Sequence, residues 1–388
     1  AGCDWTVPVG VTSIATAVVG AGGAGGSVQQ PGGGGGGAVL YNANLTTVPG
    51  STLTTAIGQG VASVYQVQPR GATGGSTTFG SVTALGGSGG GSGNQYQTIN
   101  HNGGAGGSTG GSNRHGRVAT ASTQTQYSGW TVYANSGGIG SGATNTNTPT
   151  ANNGDASPIG SGGGGGGAGG AGGNGTTVVS GSNIVVTGGD GGRGIFLFGR
   201  CLGAGAPGLN SHVGPTTVTR SGSTFSTYVG TWSVTGAAGV ATNCVDPQGN
   251  VIESSATAAA FNQNATQNTG SAIGADTVAG DTSVSYKSSD GVVIVSYELP
   301  RPVVTSSAYS KLSRPTISGT GINGSTVSIQ VGGATYSRTI TDGTWSVNLQ
   351  TATPQSGSFT VATSYTVTAT QTDAQGDVSL PVTQNLIV

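Results

Sequence analysis

GGGGGGAGGAGGNG fills residues 162–175, and its reading decides the fold of the whole chain. Related runs stand at 20–26 (GAGGAGG), 32–37 (six glycines) and 86–93 (GGSGGGSG). Such runs form neither helix nor stable strand, because glycine loses the most backbone entropy on ordering. Two readings remain. One is flexible connection. The other is extended helices of three residues per turn that lie side by side and bond through their backbones, as in collagen, where the missing Cβ permits close approach. Several runs in one chain, each flanked by apolar, strand-like segments, favour the second.

Composition narrows the class. The chain has 388 residues, of which 79 are glycine, and its charged side chains (11 Lys plus Arg, 12 Asp plus Glu) make up 6%. Ordinary globular proteins carry about 25%, and disorder normally comes with high charge. The polar surface must therefore be Ser, Thr, Asn and Gln, which suits extracellular fibres and adhesins. A net charge of -1 leaves no electrostatic footprint for nucleic acid or an anionic membrane. No apolar run reaches the roughly 18 residues of a membrane span. The absence of Met and the opening Ala1-Gly2-Cys3 read as the product of a removed signal peptide, implying export to an oxidising compartment. A lipoprotein reading of Ala-Gly-Cys is weakened because Ala1 and Gly2 precede the cysteine.

Three cysteines leave one over. Cys201 and Cys244 share a region of mixed strand and turn, and we expect a disulfide between them. Cys3 is then free or bonded between subunits, and its pairing with either of the others is the rival.

Residues 5–19, WTVPVGVTSIATAVV, alternate and are β-branched, so they read as a first strand or strand pair entering the first glycine run. Strands are also expected at 38–41, 45–48, 52–57, 61–67, 216–219, 223–229 and 231–235, with the turn Pro49-Gly50. Residues 256–261 alone carry noticeable helix propensity. The pattern W-T-V-P-x-G-V-T-S, followed by a valine strand ending in Gly-Gly repeats, resembles the bacterial and phage glycine-rich domain family. SDGVVIVSY (289–297) is similar to the segment that ends its members, and GDGGRGIFLF (189–198) is a related piece. The resemblance implies a jelly-roll β-sandwich, like that of tumour necrosis factor, with polyglycine helices as insertions.

Composition shifts at Glu298-Leu-Pro-Arg-Pro302, read as a proline-bearing linker. Beyond it short strands recur, with turn signals every 8–12 residues or so. Ile317-Ser-Gly-Thr320, Asp342-Gly-Thr-Trp345 and Thr370-Gln-Thr-Asp-Ala-Gln-Gly376 resemble the immunoglobulin-like repeats of large bacterial surface adhesins. The expected fold is all-β: a glycine-rich jelly-roll domain over residues 1–298 and an immunoglobulin-like sandwich over 299–388. Trp345 is expected in its core and Asp342-Gly343 in a hairpin turn.

Catalytic chemistry is poorly supplied. The three histidines, His101, His115 and His212, lie in glycine-, asparagine- or turn-rich segments. No HExxH occurs, no Gly-x-Ser-x-Gly elbow joins a strand to a helix, and the many Gly-x-Gly-x-x-Gly matches lack a βαβ unit. Arg114-His115 with Arg117 reads as a solvated charged loop. No cofactor is expected; Asp342, Asp373 and Asp377 form a weak calcium candidate, with turn capping as the plainer reading. No enzyme is expected. The functional expectation is an exported structural protein, a filament or matrix subunit whose partners are copies of itself, assembling through terminal strands 5–19 or 382–388. The competing expectation is an adhesin for a glycan or cell receptor that uses residues 94–102 and 143–155, with Tyr96, Tyr127 and Trp130 nearby. Ice binding would need a regular Thr repeat, which is absent.

Overall fold

The computed structural model describes the chain except residues 1–3, 28–29, 63–69, 93–100, 115–117, 143–159, 181–182, 210–215, 221–229, 238–239, 241–242, 253–263 and 275–285. Every regular element among the described residues is a β-strand, so the fold is all-β. Two compact units form: Ala1–Asp4, Thr16–Asn42 and Thr54–Ile294 make one; Trp5–Ala15, Ala43–Leu53 and Val295–Val388 make the other. The proline-bearing segment read as a linker thus belongs to the second unit, where Leu299 is buried and Pro300 accepts the Gln371 side-chain amide at 2.5 Å.

The glycine runs of the first unit are ordered against one another. From residues 32–38, the N–H groups of Gly32, Gly35 and Ala38 donate to the carbonyls of Gly91, Ser88 and Leu85. Their carbonyls accept from Gly26, Gly23 and Gly20. Gly33 and Gly36 instead donate to Gly163 and Gly166, and accept from Gly111 and Ser108. Ala206 donates to the Gly34 carbonyl, and Gly37 donates to Gly270. A partner that changes with every residue and returns every third is the signature of an extended helix with three residues per turn, whose backbone groups point outward to its neighbours.

This register explains why the two longest runs are pure glycine. Residues 32–37 are surrounded by backbone from 20–26, 85–91, 108–111, 162–167, 203–206 and Gly270. Residues 162–167 are likewise enclosed, by 32–37, 108–112, Gly138, Gly173, 189–192 and 203–209. In that second run every N–H and every carbonyl has a partner, the last carbonyl taking the Asn135 side-chain amide at 2.7 Å. With neighbours on all sides there is no direction left for a side chain. A Cβ on Gly36 would fall on the Gly203 carbonyl and 2.9 Å from the carbonyl oxygen of Ala204; one on Gly165 would strike the Gly34 carbonyl.

Runs that meet side chains as well as backbone tolerate methyl groups, and these remain buried. Ala21 and Ala24 are three residues apart, and Ala24 packs with Ala265 and Ile273. Small hydroxyls close the lattice where a neighbouring backbone is missing. Ser88 Oγ donates to the Gly104 carbonyl at 2.5 Å and accepts from Gly110 N–H at 2.8 Å. Thr109 and Ser112 hydroxyls accept from the N–H groups of Gly137 and Gly140.

At one end the lattice runs into strands. Ser13–Val19, Val39–Thr46, Thr131–Tyr133 and Val292–Ser296 form one sheet; Ile195–Leu197, Arg200–Leu202, Cys244–Val245 and Val251–Ile252 form another. Ala17, Val19, Val39, Ala168, Ile195, Leu202 and Val245 share a buried cluster there. A separate sheet contains Thr176–Ser180, Asn183–Thr187, Thr216–Arg220 and Gly230–Ala237. The expected helix at 256–261 and strand at 223–229 lie outside the described residues.

The second unit is built by ordinary side-chain packing. Val303–Val304, Thr316–Thr320 and Thr344–Asn348 form a three-stranded sheet. Ser356–Gly357, Ala334–Thr339, Thr326–Val331, Ser364–Thr372 and Val382–Ile387 form a five-stranded one. Period-two burial brings Ile317, Trp345 and Val347 of the first sheet into one cluster with Val327, Ile329, Tyr336, Tyr365, Val367 and Leu386 of the second. Asp342 and Gly343 both adopt positive φ, 51° and 73°, as a two-residue hairpin turn requires.

The lattice makes a sharp prediction. Gly36→Ala should remove the bonds to Gly166 and Ser108 and leave buried partners unmade, lowering unfolding free energy by about 2–6 kcal/mol. Ala171→Ser, at an exposed peripheral position, should change it by less than about 0.5 kcal/mol. Denaturant unfolding of both variants checks this, and equal effects would contradict the enclosed-run assignment.

Candidate functional site

The end of the lattice away from the apolar cluster gathers chain from many places. Ser27 N–H donates to Ser92 Oγ at 2.7 Å, and the Asn113 side-chain amide donates to the Ser92 carbonyl at 3.2 Å. Asn113 N–H reaches the His101 carbonyl, Arg114 N–H the Gln30 carbonyl, and Leu209 N–H the Pro31 carbonyl. Ser141 pairs with Ser161. Described residues from several stretches of the chain, Ser27, Gln30 and Pro31, Ser92, His101, Asn113 and Arg114, Ser141 with Ser161, and Leu209, are thus tied together here. Of the candidate recognition segments 94–102 and 143–155, His101 and Asn102 are described and the rest lie outside the described residues.

The floor of this end is polar and buried. Ser27, Ser92, Asn113, Arg114, Ser141 and Ser161 are all nearly inaccessible, Arg114 at 3% exposure. Arg114 departs from the expectation of a solvated charge. It follows directly on a lattice run, and a Cβ on Gly160 would lie only 3.0 Å from its own Cβ. His115, Arg117, His212 and Tyr96 fall outside the described residues. Tyr127 and Trp130 are part-buried, and the Tyr127 hydroxyl accepts the Thr83 N–H at 3.2 Å.

Cys201 and Cys244 are joined by a disulfide with Cα atoms 5.7 Å apart, and both are buried. The bond lies against the backbone of Gly194: a Cβ there would sit 2.6 Å from Cys244 Sγ and 3.1 Å from Cys201 Sγ. Glycine at 194 is thus a packing requirement of the cross-link, a signal that cysteine spacing does not carry. Cys3 lies outside the described residues.

Asp246 and Asp373 act as turn caps. Asp246-Pro-Gln-Gly-Asn250 and Asp373-Ala-Gln-Gly-Asp377 share one hydrogen-bond plan. In each, aspartate Oδ1 accepts the N–H groups two and four residues ahead, at 2.8–2.9 Å. In the first, Asn250 also donates its side-chain amide to Asp246 Oδ2, which heads the hydrogen bonds that hold the Asp246 carboxyl below its usual range. In the second, Asp377 has no amide to offer, and Asp373 Oδ2 is buried without a partner. Asp377 accepts the Tyr297 hydroxyl instead. Among the described residues no group of three acidic, histidine or cysteine side chains is placed to hold a metal, so Asp342, Asp373 and Asp377 do not form a calcium cage.

Burial and, secondarily, the bond to Asp377 push the Tyr297 phenol up to about 12. Its neutral form is the one favoured by folding. The associated stability is therefore full below the unfolded value near 10 and is lost as pH rises through about 12.

Two predictions follow from these contacts. Replacing both Cys201 and Cys244 by Ser should cost about 2–4 kcal/mol, the range for closing a loop of this size, measured by denaturant unfolding without reductant. Asp377→Asn should give Asp373 Oδ2 the amide donor that Asp246 already has, raising stability by about 0.5–1.5 kcal/mol. Ultraviolet titration should show the Tyr297 phenol ionising at lower pH in that variant, because the acceptor's charge is gone.

No helix among the described residues is long and apolar enough to cross a membrane. No curated protein was found to match the chain. The glycine-rich domain family matches over residues 2–298 of the 388, the span that holds every run of the lattice, and the chain belongs to that glycine-rich domain family.

Proposed function

We propose that the chain is an exported structural protein, a subunit of an extracellular filament or matrix fibre whose partners are further copies of itself. The observation that carries this reading is the lattice, which builds a rigid body through its backbone and asks almost nothing of charge. In this reading the first unit is a jelly roll with polyglycine insertions. The second is an immunoglobulin-like connector of the kind found in large bacterial surface adhesins.

Both terminal strands are already engaged within the chain. Val382–Ile387 pairs along Ser364–Thr372. Ile387 also accepts from Ser310 N–H and donates to the Ala308 carbonyl. Trp5–Thr6 pairs with Thr52–Leu53, and Ser13–Val19 is an inner strand of its sheet. Donating either segment to a neighbour would first break these ladders, so lateral contact between sheet faces is the better route. The hairpin of Thr176–Ser180 and Asn183–Thr187 offers such a face. Val178 and Val185 are register partners, 53% and 46% exposed, with uncharged Thr176 and Asn183 alongside. Little like-charge repulsion opposes stacking there.

A second reading, an adhesin for a glycan or cell receptor, is favoured by the hydrogen-bonded polar end of the lattice, where Ser27, Ser92, Asn113 and Arg114 form a fixed base. Recognition commonly resides on segments held by a rigid scaffold.

Electron microscopy of the purified chain tests the first reading. Ordered filaments are expected, and they should be lost in a Val178→Asp, Val185→Asp double variant that keeps its unfolding midpoint. Loss in Cys3→Ser would assign Cys3 to an intersubunit bond. Dispersed monomers at high concentration would overturn the filament reading and leave the adhesin.

A further inference from the structure

Chain segments far apart in sequence bring three aromatic rings together over the apolar cluster of the first unit. Tyr41 comes from Val39–Thr46, Tyr133 from Thr131–Tyr133, and Phe198 from the turn joining Ile195–Leu197 to Arg200–Leu202. All three rings pack on the cluster while remaining part-exposed, as do Val292 and Ile294. Tyr41 and Phe198 meet edge to face, with centroids 6.0 Å apart and an interplanar angle of 67°. Tyr41 also acts electrostatically on the Tyr133 phenol. Aromatic residues are only 5% of this chain, so such a grouping is not a by-product of composition.

Phe198 is the telling member. Leu197 pairs with Arg200, so Phe198 and Gly199 are the two central residues of a tight hairpin, with φ of 51° and 73°. That turn favours Asn, Asp or Gly at its first position. A bulky residue there costs about 1–2 kcal/mol. The cost is not offset by full burial, since the ring remains part-exposed. A strained backbone that keeps a large aromatic ring part-exposed points to contact with something outside the chain.

We propose that Tyr41, Tyr133 and Phe198 form a binding platform for an uncharged glycan, a hexopyranose chain lying across the rings. The axial C–H groups of a pyranose carry partial positive charge and complement the negative faces of aromatic rings. The phenol hydroxyls of Tyr41 and Tyr133 supply donors and acceptors for the sugar's own hydroxyls. None of the five side chains is charged, which matches a neutral polyol. The platform shares no residue with the polar lattice end around Ser92, Asn113 and Arg114, and the binding it assigns holds whether or not the chain polymerises.

The turn geometry supplies a clean variant. Phe198→Gly removes the ring while relaxing the backbone, so it tests binding without unfolding the hairpin. Affinity electrophoresis of the full chain through gels containing soluble β-glucan, α-mannan or dextran is the experiment. The wild-type chain should be retarded by at least one polymer. Phe198→Gly and Tyr41→Ala should each weaken that retardation at least tenfold, with the unfolding midpoint of Phe198→Gly unchanged or raised. Passage of the wild type through all three gels without retardation would overturn the proposal, as would retardation that survives both substitutions. Light scattering showing that Phe198→Gly merely dissociates a self-associated form would also overturn it, by assigning the platform to a second copy of the chain.

Discussion

The constraint on which the first unit depends is that neighbouring backbones must touch. A peptide group in an extended three-residue helix makes no hydrogen bond within its own run. Each N–H and C=O in this lattice must therefore find another run, and it can do so only where no Cβ intervenes. Ordering a residue costs about 1–2 kcal/mol, while a hydrogen bond returns about 0.5–1.5 kcal/mol net. One run docking on one other is consequently unstable. Enclosure on several sides is what makes the arrangement viable, because each residue then gains two bonds and close packing together. The residues at the centre have no freedom of identity, and those at the rim have some.

That asymmetry accounts for what was legible in the sequence. The six-glycine runs 32–37 and 162–167 are enclosed by backbone, and GAGGAGG, with a methyl every third residue, is buried where Ala24 meets the side chains of Ala265 and Ile273. Alternation with β-branched residues marked Ser13–Val19 and the strands of the second unit, and the Asp-Gly turn before Trp345 was readable from turn chemistry. The order of runs in the lattice was not readable. Glycine carries no side chain to specify a partner, so neighbour choice is settled by connections and by the few hydroxyls and alanines at the rim. The division of the chain was equally hidden. Trp5–Ala15 and Ala43–Leu53 join residues beyond 295, and nothing in their local pattern distinguishes them from the strands they continue.

The candidate sites were legible to different degrees for the same reason. A disulfide partner for Cys201 could be named from neighbouring strand and turn signals, but the need for glycine at 194 depends on a contact in space. Arg114 looked like a surface charge because charged residues beside glycine usually are, yet the run it follows carries it into the lattice end. Phe198-Gly199 gave no signal at all. Its departure from ordinary turn composition acquires meaning only once the hairpin register fixes both residues at positive φ.

A fold held mainly through its backbone separates stability from surface chemistry. In the second unit, Trp345, Tyr336 and their neighbours bind two sheets through side chains, so the composition of that unit is tied to its core. In the first unit the enclosed runs contribute no side chains, and the residues that face outward are released from most structural duty. Low charge is then tolerable, since no ion pairs are needed to hold the body together. An aromatic residue in a costly turn conformation is tolerable as well, because the surrounding frame does not depend on it. Surfaces of this kind can be shaped by what they contact, whether another copy of the chain or a sugar polymer, without renegotiating the fold beneath.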